Sequence, residues 1–250
     1  MPGSPVLLDP RGRRLAVVDG AAKTLSLLDL TDPLAPPVVR AAVLGAAFAP
    51  DGQMLALGLE GGAVAFVDIG PDGRLVDRAL LRRHRSPPRL LAFSADGTQL
   101  VSADPSRQLM LWSDLGAALP RGLATISDER ITALGFSPDG AQLATASYDK
   151  TIILWDAATG EETMRLVDHV DAVFALAYSP DGSRLASGAG DRTVKIWDPK
   201  TGAMAVTISD STEAVHALAF SPDGKRLAGA GGDKMIRLWG FAEAGAVFQQ

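Results

Sequence analysis

The residues best equipped for chemistry in this 250-residue chain are its three histidines, His84, His169 and His216. A His beside a carboxylate moves protons, and three together hold a divalent metal. The spacing offers neither arrangement. There is no His-Glu-x-x-His, no Asp-x-Asp calcium loop and, with no cysteine in the chain, no Cys-x-x-Cys. No Gly-x-Ser-x-Gly elbow presents a nucleophile. Gly188-Ala189-Gly190 and Gly229-Ala230-Gly231-Gly232 have the composition of phosphate loops, but a dinucleotide fingerprint needs a helix directly after it, and here a strand-like run follows. The expectation is no catalytic residue, no cofactor and no metal.

The elements that would have to position these residues come from a repeat. Trp112, Trp155, Trp197 and Trp239 stand 43, 42 and 42 residues apart, each fifteen residues after a Gly. Those glycines close the turns Ser94-Ala95-Asp96-Gly97, Ser137-Pro138-Asp139-Gly140, Ser179-Pro180-Asp181-Gly182 and Ser221-Pro222-Asp223-Gly224. Fainter copies lie at Ala49-Pro50-Asp51-Gly52 and Asp9-Pro10-Arg11-Gly12. The chain therefore divides into six units, at approximately 4–38, 39–83, 84–126, 127–168, 169–210 and 211–250, read as one domain over 1–250. A single unit of about 42 residues cannot bury its own apolar faces and must stack on its neighbours.

Within residues 169–209, Val173 to Tyr178 is apolar throughout, as a strand covered on both faces should be. The Ser-Pro-Asp-Gly turn leads into Arg184 to Gly188, a turn at Gly190-Asp191-Arg192 follows, and Thr193 to Trp197 alternates polar with apolar. Asp198 to Gly202 then turns into Ala203 to Ser209. The unit holds four strands and three tight turns. Glu161 to Tyr178 lacks Gly and Pro and taken alone suits an amphipathic helix, but the register of the other five copies favours strands.

Four-stranded units of this length, with Trp-Asp at the end of the third strand, resemble the WD-repeat family over nearly the whole chain. Trp155-Asp156 and Trp197-Asp198 carry the name-giving dipeptide, Trp112-Ser113 and Trp239-Gly240 keep only the Trp, and Val67-Asp68 keeps only the Asp. The resemblance implies an all-β fold, a β-propeller of six four-stranded blades; because the units start and stop in phase, the expected ring is incomplete or not latched by the strand exchange that closes many of its relatives. It also implies a buried polar network of His, Ser or Thr, Asp and Trp. His169, Ser187, Asp191 and Trp197 match it in full; the fourth unit has Thr145, Asp149 and Trp155 with Ser127 at the His position. The third has His84, Ser102 and Trp112 with Ser106 where the acid would be, and the sixth has Asp233 and Trp239 but Gly229 in place of the hydroxyl.

Related propellers bind other proteins through the start of the inner strand and the residue before the turn Asp. By position those residues are Arg89, Arg130, Thr132, Phe174, His216 and Tyr148, with His216 near the axis of a propeller. Tyr148 is the sole aromatic at its position among the units, suiting either an interface anchor or a filler between blades. Around them, Arg82, Arg83, Arg85 and Arg89 make the connection into the third unit basic. Asp128, Glu129, Asp168, Asp171, Asp210 and Glu213 make the later ones acidic.

The totals fit this reading. A hydrophobic share of 47% supplies ample core, and a net charge of −5 argues against nucleic acid as the main partner. Asn is absent, which removes N-glycosylation acceptors, and no signal-peptide or bilayer-length apolar run is visible. A cytoplasmic protein without membrane partner is expected, and the preference for Ala and for Arg over Lys suits a bacterial, GC-rich genome. The leading expectation is a non-catalytic scaffold or adaptor for protein–protein contacts, standing alone or as a piece of a larger polypeptide. The alternative is a propeller tied to a hydrolase- or lactonase-type activity.

Overall fold

A computed structural model describes residues 6–113, 121–122, 130–241 and 247–249 of the chain. Among them every regular element is a strand, arranged as six four-stranded antiparallel sheets, each built from strands consecutive in sequence. Sheet 1 comprises Val6–Leu8 (β1), Arg14–Asp19 (β2), Thr24–Asp29 (β3) and Val38–Ala41 (β4). Sheet 2 comprises Val43–Phe48 (β5), Met54–Leu59 (β6), Ala63–Ile69 (β7) and Leu75–Arg82 (β8). Sheet 3 comprises Leu90–Phe93 (β9), Gln99–Ala103 (β10), Leu109–Ser113 (β11) and Arg121–Gly122 (β12). Sheet 4 comprises Ile131–Phe136 (β13), Gln142–Ser147 (β14), Ile152–Asp156 (β15) and Glu162–Leu166 (β16). Sheet 5 comprises Val173–Tyr178 (β17), Leu185–Ala189 (β18), Val194–Trp197 (β19) and Met204–Ile208 (β20). Sheet 6 comprises Val215–Phe220 (β21), Arg226–Gly231 (β22), Ile236–Phe241 (β23) and Val247–Gln249 (β24). The segment with helical character, Glu161 to Tyr178, is divided between β16 and β17. The chain separates into two compact units, 1–126 and 127–250, each holding three sheets.

The turns have a repeated local cause. In sheet 5, Gly182 at φ 68° closes a turn in which its N–H donates to Ser179 O at 2.9 Å. The Ser179 hydroxyl accepts the Arg184 N–H at 2.9 Å, and Asp181 Oδ1 accepts the Ser183 N–H at 3.0 Å. Only Gly takes this left-handed conformation without a steric cost. The turn leading into the third strand places a non-Gly residue there in five sheets, at Lys23, Arg107, Lys150, Arg192 and Lys234. Asx-type bonds hold four of those turns, with Asp19, Asp149, Asp191 and Asp233 each accepting the N–H two residues on.

Within each unit the sheets bury one another's faces. Ala144, Ala146, Ile152 and Leu154 of sheet 4 pack with Val173, Leu185 and Trp197 of sheet 5, all buried. One step on, Ala186, Val194 and Ile196 of sheet 5 pack with Val215, Leu227 and Trp239 of sheet 6. In the first unit, Ala16, Val18, Leu25 and Leu27 meet Leu55, Leu57 and Val67, and Ala56, Val64 and Phe66 meet Leu100, Met110 and Trp112. A buried Trp removes roughly 150–250 Å² from water, worth about 4–6 kcal/mol at the usual coefficient. That is why the Trp positions mark the repeat. No helix among the described residues is long and apolar enough to cross a membrane.

Candidate protein-contact site

A backbone irregularity repeated in three successive sheets builds the site. The pairing of β13 with β14 shifts register between Ile131 and Ala133, that of β17 with β18 between Val173 and Ala175, and that of β21 with β22 between Val215 and Ala217. The extra residues are Thr132, Phe174 and His216. A bulge frees its residue from the up–down alternation of the strand and re-aims the side chain. Each lies eight residues before its turn Gly, as do Leu44, bulged in β5, and Arg89, which directly precedes β9.

Two of the three freed side chains join a continuous row. The Tyr148 ring stands edge-on to Phe174, with centroids 5.6 Å apart and planes at 81°. Phe174 in turn faces His216, centroid to centroid at 5.1 Å. At the other end the Arg130 guanidinium lies 4.8 Å from the Tyr148 centroid, and its Nη2 donates to the Tyr148 hydroxyl at 3.0 Å. The Tyr148 N–H donates to Arg130 O at 3.1 Å, so backbone as well as side chain ties the pair. Arg130, Tyr148 and His216 are exposed and Phe174 is half-buried. Thr132 plays another part: its hydroxyl donates to Val173 O and so links β13 to β17.

Arg89 is exposed, and its N–H donates to Ala103 O at 3.0 Å; Arg82, Arg83 and Arg85 are also exposed. They belong to the first unit, the row to the second. The acidic connections are partly engaged inside the fold. Asp168 pairs with Lys195, and Asp210 Oδ2 accepts the Trp239 indole N–H at 2.9 Å. Asp128, Glu129 and Ser127 lie outside the described residues.

The His, Ser, Asp and Trp side chains of sheet 5 form one chain of bonds. Trp197 Nε1 donates to Ser187 Oγ at 2.8 Å, and Ser187 Oγ is 2.7 Å from His169 Nε2. His169 Nδ1 is 2.8 Å from Asp191 Oδ2, which also accepts the Val170 N–H at 3.0 Å. The indole can only donate, so the pattern suits a neutral imidazole with its proton on Nδ1. Burial holds the His169 pKa below its ordinary value against the opposing pull of Asp191. Burial alone would raise the Asp191 carboxyl, but bonds from Thr193 and His169 outweigh it and hold the pKa below the usual range.

The other sheets vary this wiring. In sheet 4 Trp155 Nε1 donates to Thr145 Oγ1 at 3.0 Å, while Asp149 accepts from Thr151 N and Oγ1. In sheet 3, Ser102 Oγ accepts from Trp112 Nε1 at 2.7 Å and lies 2.6 Å from His84 Nε2. Here the expectation that Ser106 stands in for the acid is corrected: Asp104 Oδ2 lies 3.3 Å from His84 Nδ1, and Ser106 donates to Asp104 Oδ1 at 2.7 Å. The carboxylate sits two positions earlier than repeat register places it. In sheet 6 the ring of Trp239 occupies the room left by Gly229, where a Cβ would come within 2.5 Å of it. Arg237 spans Asp233 and Asp210, at 2.7 and 3.8 Å.

These histidines are structural in their bonding. Among the described residues no group of three or more His, Cys, Asp or Glu is placed to hold a metal. A groove of about 540 Å³ runs along the turn end of sheets 5 and 6, lined by Pro180, Asp181, Arg184, Pro222, Asp223, Gly224, Lys225 and Phe241. It pairs no acid with a nucleophile.

The WD domain, G-beta repeat family model matches residues 123–156, 160–198 and 203–240. No curated protein matches the chain. The three matches contain the first three strands of sheets 4, 5 and 6 in turn, each with its buried Trp. Residues 123–156, 160–198 and 203–240 are therefore similar to WD, G-beta repeats, and the six four-stranded sheets are consistent with a WD-repeat β-propeller.

Proposed function

We propose that the chain is a non-catalytic cytoplasmic scaffold whose row of Arg130, Tyr148, Phe174 and His216 docks another protein. The single observation that supports this most is the row itself. Three successive sheets contribute one aromatic side chain each, two of them freed by a bulge, and the ring contacts continue from sheet to sheet. WD repeats and this fold suggest an interaction scaffold, and the ring contacts of the row support it as the docking surface.

The row is held before any partner arrives. An edge-to-face aromatic pair contributes about 0.5–1.5 kcal/mol, and an exposed cation–π contact about 0.5–1 kcal/mol. Side chains already fixed lose little freedom on binding. A guanidinium has five donors, and the bond to Tyr148 uses one of them. The partner that fits presents a carboxylate to Arg130 and an apolar or planar side chain over Tyr148 and Phe174. Arg89, at the equivalent position in sheet 3, is a second candidate contact.

The test is affinity capture from native lysate with the wild type and with a Tyr148→Ala/His216→Ala double variant of equal melting temperature. The expected result is a protein held by the wild type and lost from the variant. Recovery of the same proteins by both overturns the reading.

A further inference from the structure

One position after the first turn of a sheet reaches across to the next sheet, and its partners differ from joint to joint. It is the residue whose carbonyl accepts the N–H of the first turn residue: Arg14 from Asp9, Gln142 from Ser137 and Arg184 from Ser179. In the first unit, Arg14 Nη2 donates to Gly70 O, just beyond β7 of sheet 2, at 3.2 Å. In the second, Gln142 Nε2 donates to Pro199 O, in the turn after β19, at 3.3 Å, and Gln142 Oε1 accepts the Tyr178 hydroxyl at 2.8 Å. Both head groups find partners across the joint.

Arg184 meets different neighbours. By their offsets from the turn Ser and the Trp, the counterparts of Tyr178 and Pro199 in sheet 6 are Phe220 and Phe241. Phe220 has no hydroxyl. Phe241, its ring 5.8 Å from that of Phe220, lies 5.0 Å from the Arg184 guanidinium. A guanidinium stacked on a ring still has its fork of N–H donors to offer. Among the described residues the Arg184 side chain makes no hydrogen bond or ion pair, and neither does the Lys225 ammonium. Both line the groove of about 540 Å³ at the turn end of sheets 5 and 6, within one compact unit.

The two acids of that groove are engaged in their own turns. Asp181 accepts the Ser179 and Ser183 hydroxyls and the Ser183 N–H, and Asp223 accepts the Ser221 hydroxyl and the Lys225 N–H. The groove is therefore left with two unpartnered cations beside the exposed Pro180 and Pro222.

We propose that this groove takes an acidic segment of a partner protein, with one Glu or Asp carboxylate on the N–H fork of Arg184 beside Lys225 and apolar flanking residues over Pro180 and Pro222. A carboxylate accepts two parallel bonds from a guanidinium. The Phe241 ring holds that guanidinium beforehand, so little freedom is lost on binding. A segment suits the groove better than a free anion, because a lone carboxylate fills little of the space and leaves both prolines bare. The site is separate from the docking row. The row lies where β17 and β21 begin, and the groove lies at the turns where they end.

The test is an NMR titration of the full chain with acetyl-Ala-Pro-Glu-Ala-Pro-amide up to about 10 mM, following the amides of the two turns. A dissociation constant on the order of 1 mM is expected. The Gln twin of the peptide should bind about fivefold more weakly, and so should the Glu peptide to Arg184→Gln. That substitution installs the residue sheet 4 already carries, and Lys225→Ser, which copies Ser183 of sheet 5, should weaken binding in the same direction. Amide signals away from the groove report that each variant is folded. Tyr148→Ala/His216→Ala should leave the titration unchanged, so this result and that of the row are read separately. Equal binding of the Glu and Gln peptides, unchanged affinity in both groove variants, or no response up to about 10 mM overturns the proposal. Acetate or inorganic phosphate binding as tightly as the peptide also overturns it, in favour of a small-anion site.

Discussion

Tyr148 and Phe174 come from different sheets, yet their rings meet at 81° with centroids 5.6 Å apart. Tyr148 follows β14 directly, and Phe174 is the bulged residue of β17. Position along the repeat and a local break in strand pairing together create the contact. The equivalent break in β21 brings His216 against Phe174.

Asp191 and Asp181 separate structural from turn acids. Asp191 holds His169, the Val170 N–H and Thr193, and its side chain is 5% exposed. Asp181 is exposed and bonds Ser179 and Ser183 within one turn. Asp191→Ala is expected to cost about 2–4 kcal/mol, through an unpaired buried imidazole, and Asp181→Ala about 1 kcal/mol or less. Thermal melts of both variants check the ordering; equal melting temperatures contradict it.

Gly229→Ser should destabilise, although it restores the hydroxyl found at Ser187 in sheet 5. The new Cβ would meet the buried Trp239 ring at 2.5 Å, and the indole N–H already has Asp210 as acceptor. Overpacking of this kind costs about 1–3 kcal/mol. Urea unfolding of the variant measures it, and a gain in stability would show that the ring yields.

The pH dependence follows from His84 and His169. Burial lowers both pKa values below 6.5, so the unfolded chain binds protons that the folded chain does not. Their contribution is complete above pH 6.5 and declines as pH falls from there towards the folded values. Unfolding free energy is expected to drop as pH falls below 6.5 towards the folded values, with a slope of at most about 1.4 kcal/mol per pH unit for each histidine. His169→Gln should flatten that slope; an unchanged slope means the titration lies elsewhere.

Much of this was legible in the residues. The Trp and Gly spacing placed the strands of sheets 3 to 6, because a large buried ring and a positive φ are demands that few residue types meet. His169, Ser187, Asp191 and Trp197 are bonded to one another, and it was the resemblance to WD repeats, laid on the repeat register, that grouped them in the sequence. The acid of sheet 3 was not legible, since a carboxylate reaches His84 from Asp104 as readily as from the aligned Ser106. Asp210 as the acceptor for Trp239 was equally hidden, because it comes from the connection before the sheet. The bulges leave no composition signal. Their one trace is the constant offset of eight residues between Thr132, Phe174 or His216 and the turn Gly.

The most direct test of the contact row is photo-crosslinking in the native cell from a reactive phenylalanine analogue at position 148. The same analogue at position 205, on exposed β20, serves as reference. The row predicts a discrete protein adduct from 148 that disappears on Arg130→Ala/His216→Ala and has no counterpart from 205. Identical adducts from both positions, or an adduct from 148 that survives the double substitution, would contradict it.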